Sequence, residues 1–203
     1  MATNPDVIVL VEVSLAVALH IDKHRYPYEI VFSRTDDRGL GYDLRVLSRH
    51  PLEHYDDAAA GGRFFPLVSV SLHNSQITLA PVHTVAPHKV CDKPYWRAQL
   101  AGLGESLSSV KGPLVVCGDF NASLSHHPMA SFIKRARLTS VLARHGRALR
   151  GTWGPRGVVA LLPIDHVLVS QDVSSLNIDV VRVPGSDHRA LVADLSVPHT
   201  SAE

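Results

Sequence analysis

The chain has 203 residues, of which 45% are hydrophobic and 19% charged, a balance typical of a globular domain with its own core. Its 20 basic and 19 acidic residues give a formal net charge of +1, so no strong overall field favours a polyanionic partner. Two cysteines are too few for a disulfide framework or a thiolate zinc cluster. No apolar run approaches the ~18 residues of a membrane span. We therefore expect one soluble domain over residues 1–203.

In the first half of the chain, short β-branched or alternating runs predict strands at residues 5–13, 28–33 and 42–48. Ser14 is expected to cap a short helix that continues to about Lys23. The polar segment 50–62 predicts a turn or loop. The runs FFPLVSVSL and SQITLAPVH predict a hairpin across His73–Ser75.

The second half mixes helices and strands. Segment 91–110 has apolar residues at helical spacing, namely Trp96, Leu100, Leu103 and Leu107. Segment 127–146 predicts a helix with a basic face. Apolar runs predict further strands at residues 113–120, 163–170, 176–183 and 187–197. About eight or nine strands with few helices between them favour two packed sheets with helices outside.

Several of these strands carry, at one end, a polar side chain that can bind a metal or transfer a proton. They are Glu12, His83, Asp119 with Asn121, Asp165, and Asp187 with His188. A carboxylate against an apolar run is costly to bury alone. Several such carboxylates in one protein therefore suggest a shared hard cation with oxygen ligands.

The stretch PLVVCGDFNA is the most informative of these strand ends. Residues i and i+2 of an extended chain point to the same side, so Asp119 and Asn121 can face one cavity while Phe120 packs the other way. Gly118 lets the backbone turn there without a Cβ clash. A carboxylate for a metal or water beside an amide donor for an anionic oxygen suits hydrolysis at a phosphorus or acyl centre.

A second motif, GSDHRAL, places the carboxylate of Asp187 beside the imidazole of His188 at a strand entrance. A neutral imidazole can take a proton from water when another carboxylate orients its second nitrogen. Asp165 is the candidate for that orienting role. Trp153, in GTWG, is expected to be a packed aromatic rather than a residue that contacts substrate.

Taken together, these motifs resemble those of the endonuclease/exonuclease/phosphatase superfamily, which includes deoxyribonucleases, apurinic endonucleases, inositol-polyphosphate phosphatases and neutral sphingomyelinases. The matching segments, in order, are PDVIVLVEV, LSRHPL, APVHTVAP, YWRAQL, VVCGDFNA, PIDHVLVS and GSDHRALVADL. The resemblance covers nearly the whole chain. It implies an α/β fold, a four-layer sandwich of two packed, mostly antiparallel sheets flanked by helices. It also implies Mg²⁺- or Mn²⁺-dependent hydrolysis of phosphoesters.

The resemblance further implies roles for individual residues. Glu12 and Asp187 match metal ligands. Asp119 matches an aspartate that positions or activates the attacking water, and we also count it among the metal ligands. His83 and Asn121 match residues that bind the scissile phosphate. Because the candidate ligands are mainly oxygen, magnesium is favoured over zinc.

Two more residues complete the implied site. Asp165 matches an aspartate that orients the active-site histidine, and His188 matches that histidine, acting as a base or as a phosphate donor. Either Asp119 or His188 can take the proton from water. The fold does not choose the phosphoester, so nucleic acid, a phosphoinositide and a phospholipid head group are all compatible substrates.

The start of the chain departs from the family pattern. Relatives usually begin with a strand that carries an asparagine, whereas here Met1 directly precedes the strand of Glu12. The domain is therefore expected to be N-terminally short: a fragment, a misplaced start, or a protein that truly lacks the strand. The last case leaves strand edges unpaired. It would weaken catalysis or require a compensating partner strand.

Two readings compete with a cytoplasmic hydrolase. One is a catalytically impaired binding or scaffold module, and a related one is a soluble fragment of a larger membrane-anchored hydrolase. The full set of residues from Glu12 to His188 argues against impairment. A metal-free serine esterase is disfavoured because the sequence has no G-x-S-x-G elbow.

Overall fold

The computed structural model of the protein describes residues 4–12, 20–36, 38–39, 41–155 and 159–198. The strands are β1 (Val7–Val11), β2 (Tyr28–Thr35), β3 (Gly41–Ser48), β4 (Leu52–Ala60), β5 (Arg63–Leu72), β6 (Ser75–His83), β7 (Leu114–Asp119), β8 (Thr139–Ser140), β9 (Asp165–Val169), β10 (Ser174–Arg182) and β11 (Arg189–Ser196). The helices are α1 (Asp92–Leu107), α2 (His127–Arg135) and α3 (Val141–Arg144).

The strands form one large sheet and two small ones. The six-stranded sheet has the order β4-β5-β6-β7-β9-β8, the three-stranded sheet β1-β3-β2, and the two-stranded sheet is the pair β10-β11. Only β6 and β7 pair in parallel among the described strands. The expected α/β class with mostly antiparallel sheets is confirmed.

Two apolar cores lie on opposite faces of the six-stranded sheet. Val116 of β7 belongs to the core shared with α1 and α2, whereas its neighbour Val115 belongs to the core beneath the small sheets. Successive side chains of a strand point to opposite faces, so a strand covered on both sides needs a continuous apolar run. That requirement explains the sequence LVVC in β7 and places β7 at the centre of the fold.

Helix α1 confirms the helix predicted for segment 91–110. Its four apolar residues Trp96, Leu100, Leu103 and Leu107 are buried. A Cβ on Gly102 would lie 2.7 Å from the Cα of Ala60, so glycine allows α1 to pack closely on β4. The hairpin of β5 and β6 is also confirmed, because Leu72 pairs with Ser75 across a two-residue turn.

The loop predicted for segment 50–62 is wrong, because Leu52–Ala60 is strand β4. This strand lies at one edge of the six-stranded sheet and pairs only with β5 among its described neighbours. Its four residues from Glu53 to Asp56 are exposed. An edge strand tolerates such a polar sequence, since charged side chains keep the edge soluble.

The single helix predicted for segment 127–146 is also wrong. Helix α2 ends at Arg135, and Arg137 has a φ of 53°, which breaks the helical path. Strand β8 then pairs with β9, and Ser140 caps α3 by accepting a hydrogen bond from the Ala143 N–H at 3.3 Å.

Of the helix expected from Ser14 to Lys23, residues 14–19 lie outside the described residues, and residues 20–23 are not helical. Within the described part of the chain, β1 hydrogen bonds only to β3, and β11 only to β10. Each therefore has one edge without a ladder partner. No helix of the described segments combines the length and apolar character needed to cross a membrane.

Candidate active site

Three candidate residues stand in a row at the ends of three interior strands of the six-stranded sheet, where β6 and β7 end and β9 begins. Asp119 pairs with His83 across the parallel β6–β7 ladder and with Asp165 across the antiparallel β7–β9 ladder. Directly paired residues point to the same face of a sheet. The backbone ladder therefore fixes these three side chains next to one another.

Gly118 allows β6 and β7 to approach closely next to this row. Its φ is 137°, and a Cβ there would lie 2.0 Å from the carbonyl oxygen of Val82. Only glycine fits this position without moving the neighbouring strand. The sequence predicted that glycine is needed here for a backbone turn. In the structure Gly118 lies within β7, and glycine is needed because β6 packs too closely to leave room for a Cβ.

His188, which directly precedes β11, contacts Asp165 of this row. Its Nδ1 lies 2.9 Å from Oδ2 of Asp165, and the N–H of Arg189 donates to the carbonyl of Thr152 at 2.6 Å. Burial alone would lower the pKa of His188, but the hydrogen bond and negative charge of Asp165 outweigh it, so the pKa is raised. The two residues that the sequence proposed as a pair are hydrogen bonded.

Asp119 is almost fully buried beside this pair. Its Oδ1 accepts the backbone N–H of Asn121 at 2.7 Å. Burial raises the pKa of Asp119 to about 7, the charge of Asp165 adds to the rise, and the Asn121 hydrogen bond opposes it. Ligand atoms of Asp119, Asp165 and His188 all lie within 4.8 Å of one another.

Asn121 is held immediately after β7 in a left-handed conformation, with a φ of 47°. Its Nδ2 donates to the carbonyl of Thr84 at 2.9 Å. The carbonyl of the preceding residue, Phe120, accepts hydrogen bonds from Thr84 Oγ1 at 2.6 Å and from Trp96 Nε1 at 3.1 Å. Helix α1, through Trp96, and the residue directly after β6, Thr84, therefore fix the turn that presents Asn121.

Glu12 reaches the site from the small sheet. It follows β1 with a φ of 53°, and its Oε1 lies 3.6 Å from Nε2 of His83. The side chain of Glu12 is 71% exposed, whereas that of His83 is 10% exposed. Burial lowers the pKa of His83, with the charge of Glu12 opposing the shift. Nδ1 of His83 is buried with no hydrogen-bond partner among the described residues.

Asp187 is not one of the three residues whose ligand atoms lie within 4.8 Å of one another, and its own contacts are to the Trp153 loop. Its Oδ2 accepts a hydrogen bond from Trp153 Nε1 at 3.2 Å, and its carbonyl accepts the Gly154 N–H. Trp153 also forms a β-bridge with His188. Sequence reasoning missed this link, because GTWG shows an aromatic in a loop but not its partner, which lies 34 positions further along the chain.

The family profile described as "Endonuclease/Exonuclease/phosphatase family" matches residues 2–188. The chain belongs to this family. Members of the endonuclease/exonuclease/phosphatase family are phosphoester hydrolases, including nucleases and phosphatases. No curated protein sequence matches the chain significantly.

Solved structures of the family share the fold. An endonuclease/exonuclease/phosphatase protein of Beutenbergia cavernae has a TM-score of 0.75 at 20% identity; the comparison covers 95% of this chain and 63% of that one. D. rerio TDP2, complexed with a single-strand DNA product, has a TM-score of 0.72 at 16% identity, and the comparison covers 95% of this chain and 86% of that one. A mannosyl-6-phosphatase of Bacteroides thetaiotaomicron has a TM-score of 0.67 at 15% identity, and the comparison covers 94% of this chain and 85% of that one. This chain thus spans less than two thirds of the Beutenbergia protein.

Proposed function

We propose that this chain is a divalent-metal-dependent phosphoester hydrolase that acts by in-line attack of water. The observation that carries the proposal is the group of Asp119, Asp165 and His188, with ligand atoms within 4.8 Å. Sheet pairing and a hydrogen bond hold the three residues together in a chain of the hydrolase family. Such a group offers one carboxylate, that of Asp119, to a cation and one base, His188, to water.

The chemistry of these donors fits a hard cation such as Mg²⁺ or Mn²⁺. Asp119 and Asp165 are like charges on paired residues, and their repulsion contributes to the raised pKa of Asp119. A nearby cation would relieve that repulsion. We assign its ligands to Glu12, Asp187 and Asp119. When bound, the ion would supply positive charge that polarises the phosphate.

His188 and Asp119 orient and deprotonate the attacking water. A carboxylate only accepts, so Nδ1 of His188 carries the proton that it shares with Asp165. In the neutral imidazole this leaves Nε2 as the acceptor for a proton from water. Asp119 accepts a hydrogen bond from the same water and is the alternative base. Asp165 keeps the imidazole in the correct tautomer and stabilises its protonated form.

Asn121 and His83 bind the phosphate oxygens. The carbonyl of Thr84 only accepts hydrogen bonds, so Asn121 must direct its amide nitrogen toward it. That nitrogen retains a second N–H for a non-bridging oxygen of the substrate. A fixed donor at this point stabilises the charge that develops in the transition state. His83 adds a second polar contact from β6.

The substrate class extends over phosphodiesters and phosphomonoesters. The solved relatives include a protein complexed with a single-strand DNA product and a mannosyl-6-phosphatase. Nucleic acid, a phosphoinositide or a phospholipid head group would each present the same phosphoryl group to the site. A panel of these three substrates follows once hydrolysis of a simple diester is established.

The test is release of nitrophenol from bis(p-nitrophenyl) phosphate. We expect activity with Mg²⁺ that EDTA abolishes, and Asp119→Ala should lower the rate by about 10²- to 10⁴-fold. The matched control is Asp172→Asn, which changes an exposed carboxylate in a turn and should leave the rate unchanged. A folded, metal-loaded wild type without activity on the diester or the panel would contradict the proposal and favour a binding module.

A further inference from the structure

Arg63 is a buried cation outside the residues assigned so far. It opens β5 and is only 4% exposed. Its Nη1 donates to the carbonyl of His83 at 2.8 Å, its Nε lies 3.4 Å from Oδ2 of Asp36, and its guanidinium lies 4.5 Å from the ring centre of Tyr42. A buried guanidinium needs such partners on every side. Its position is therefore tightly determined.

Asp36, which anchors Arg63, is anchored in turn from helix α1. Oδ2 of Asp36 also accepts from Arg38 Nη2 at 3.0 Å, and Arg38 Nη1 reaches Oδ1 of Asp92 at 3.1 Å. Asp92 lies in the first turn of α1. Four charged side chains thus connect the start of α1 to the carbonyl of His83.

The peptide group between His83 and Thr84 is the point where this network meets the site. Its carbonyl accepts from Arg63, and its N–H donates to the carbonyl of Asp119 at 3.0 Å. The next carbonyl, that of Thr84, accepts from Asn121 Nδ2 at 2.9 Å. Displacing this one peptide group would therefore disturb His83, Asp119 and Asn121 together.

We propose that Arg63 is a positioning residue, which fixes the His83–Thr84 peptide and through it the phosphate-binding side of the site. The inference rests on the proposed function of that site. Lysine cannot replace Arg63, because one ammonium lacks the planar fork that reaches a carbonyl and a carboxylate at once. Arg63 itself touches no reacting atom in this account.

The first measurement does not depend on activity. In the metal-free protein, amide NMR signals of Thr84 and of the Asn121 side chain should shift in Arg63→Lys and in Arg63→Met. The matched control is Arg147→Met. Arg147 likewise donates to a backbone carbonyl, that of Ile178, and pairs with Asp179 at 3.1 Å, but it lies against β10. The control should leave both signals in place.

The second measurement is steady-state hydrolysis of bis(p-nitrophenyl) phosphate at a temperature where circular dichroism shows each variant folded. Misplacement of the phosphate-binding groups should lower kcat about 10- to 100-fold in Arg63→Lys, with KM within about threefold of wild type. Arg147→Met should match wild type. If Arg63→Met does not fold, Arg63→Lys and Asp36→Asn carry the test, since both retain a side chain in the buried space.

The outcomes separate the two proposals. Shifted Thr84 and Asn121 signals with a lowered kcat support the positioning role. An inactive wild type in which Arg63→Lys still shifts these signals contradicts the proposed function alone. A lowered melting temperature with unchanged signals and unchanged kcat would overturn the positioning role and leave Arg63 a purely structural cation.

Discussion

The site joins two regions that are held in different ways. His83, Asp119 and Asp165 lie on directly paired strands of the six-stranded sheet, so main-chain hydrogen bonds determine their spacing. Glu12 follows β1 of the three-stranded sheet, and Asp187 precedes β11 of the two-stranded one. Among the described strands, no ladder links either small sheet to the large one.

This difference in support is visible in the side chains. Asp119 is buried and accepts a backbone N–H, whereas Glu12 is 71% exposed and lies 3.6 Å from His83. The large sheet therefore preorganises His83, Asp119 and Asp165, which are three of the groups proposed to position water and phosphate. The small sheets carry Glu12 and Asp187, which are two of the three groups assigned to the cation. Their placement depends on packing, and that of Asp187 also depends on its hydrogen bond with Trp153. Substitutions in the large sheet and substitutions in the small sheets should consequently change the kinetics in different ways.

The largest expected effect is on the preorganised region. Asp165→Asn keeps the shape but cannot stabilise a protonated His188, so kcat should fall about 10²- to 10⁴-fold at saturating Mg²⁺. The Mg²⁺ concentration for half-maximal rate should stay near the wild-type value. A Mg²⁺ titration of the rate of diester hydrolysis measures both quantities.

Glu12→Gln should give the opposite pattern. Loss of one charged ligand should raise the Mg²⁺ concentration for half-maximal rate about 10- to 100-fold, and much of kcat should return at saturating ion. Glu53→Gln, an exposed substitution on β4, serves as its control. Identical kinetic changes in Asp165→Asn and Glu12→Gln would refute the division of the site into two regions.

An intermediate effect concerns stability without metal. The pKa of Asp119 is raised to about 7 in the folded protein, against roughly 3.9 in an unfolded chain. The folded state therefore binds this proton more tightly than the unfolded chain does. The proton's contribution to the free energy of unfolding is complete below about pH 4 and is lost as the pH rises through about 7. Asp119→Asn keeps an oxygen for the Asn121 N–H but carries no charge.

In EDTA, Asp119→Asn should be more stable than wild type at pH 8 by about 2 to 4 kcal/mol, and the difference should shrink towards pH 5. Urea unfolding followed by circular dichroism at both pH values gives the two free energies. Saturating Mg²⁺ should narrow the difference, because the ion stabilises the folded wild type. If the free energy of unfolding depended on pH equally in the two proteins, the ionised carboxylate of Asp119 would not be destabilised by its surroundings.

The smallest effect is a change in thiol reactivity. Cys117 lies in β7 directly before Gly118, and burial raises the pKa of its thiol to about 12, whereas Cys91 is exposed. A disulfide reagent at pH 8 should label one thiol quickly, and Cys91→Ser should remove that phase. EDTA should not speed labelling of Cys117. If it does, the large sheet depends on the ion and is not preorganised.

Local sequence patterns predicted the elements that carry the site but not all of their surroundings. The apolar run of β7 and the spacing of Asp119 and Asn121 indicated a strand that ends in polar groups, because side-chain alternation is a local property. β4 was missed because its polar sequence is tolerated only at the edge of a sheet. The interruption after α2 was missed because pairing of β8 with β9 competes with helix formation.

Arg63 shows why the network behind the site could not be predicted. In sequence it is an ordinary charged residue before FFPLVSVSL, and nothing nearby indicates that it is buried. Its partners Asp36 and His83 lie 27 and 20 positions away. Such contacts arise from the arrangement of strands and become visible only in the folded chain.

The most direct test of the account is binding of Mn²⁺ to the metal-free protein. Binding is measured as loss of the electron paramagnetic resonance signal of free Mn²⁺. We expect a bound ion that Mg²⁺ displaces, with affinity reduced about 10- to 100-fold in Glu12→Gln and unchanged in Glu53→Gln. Folded wild-type protein that binds no Mn²⁺, or binding that is equally strong in Glu12→Gln, would contradict a cation held where the small sheets meet the large one.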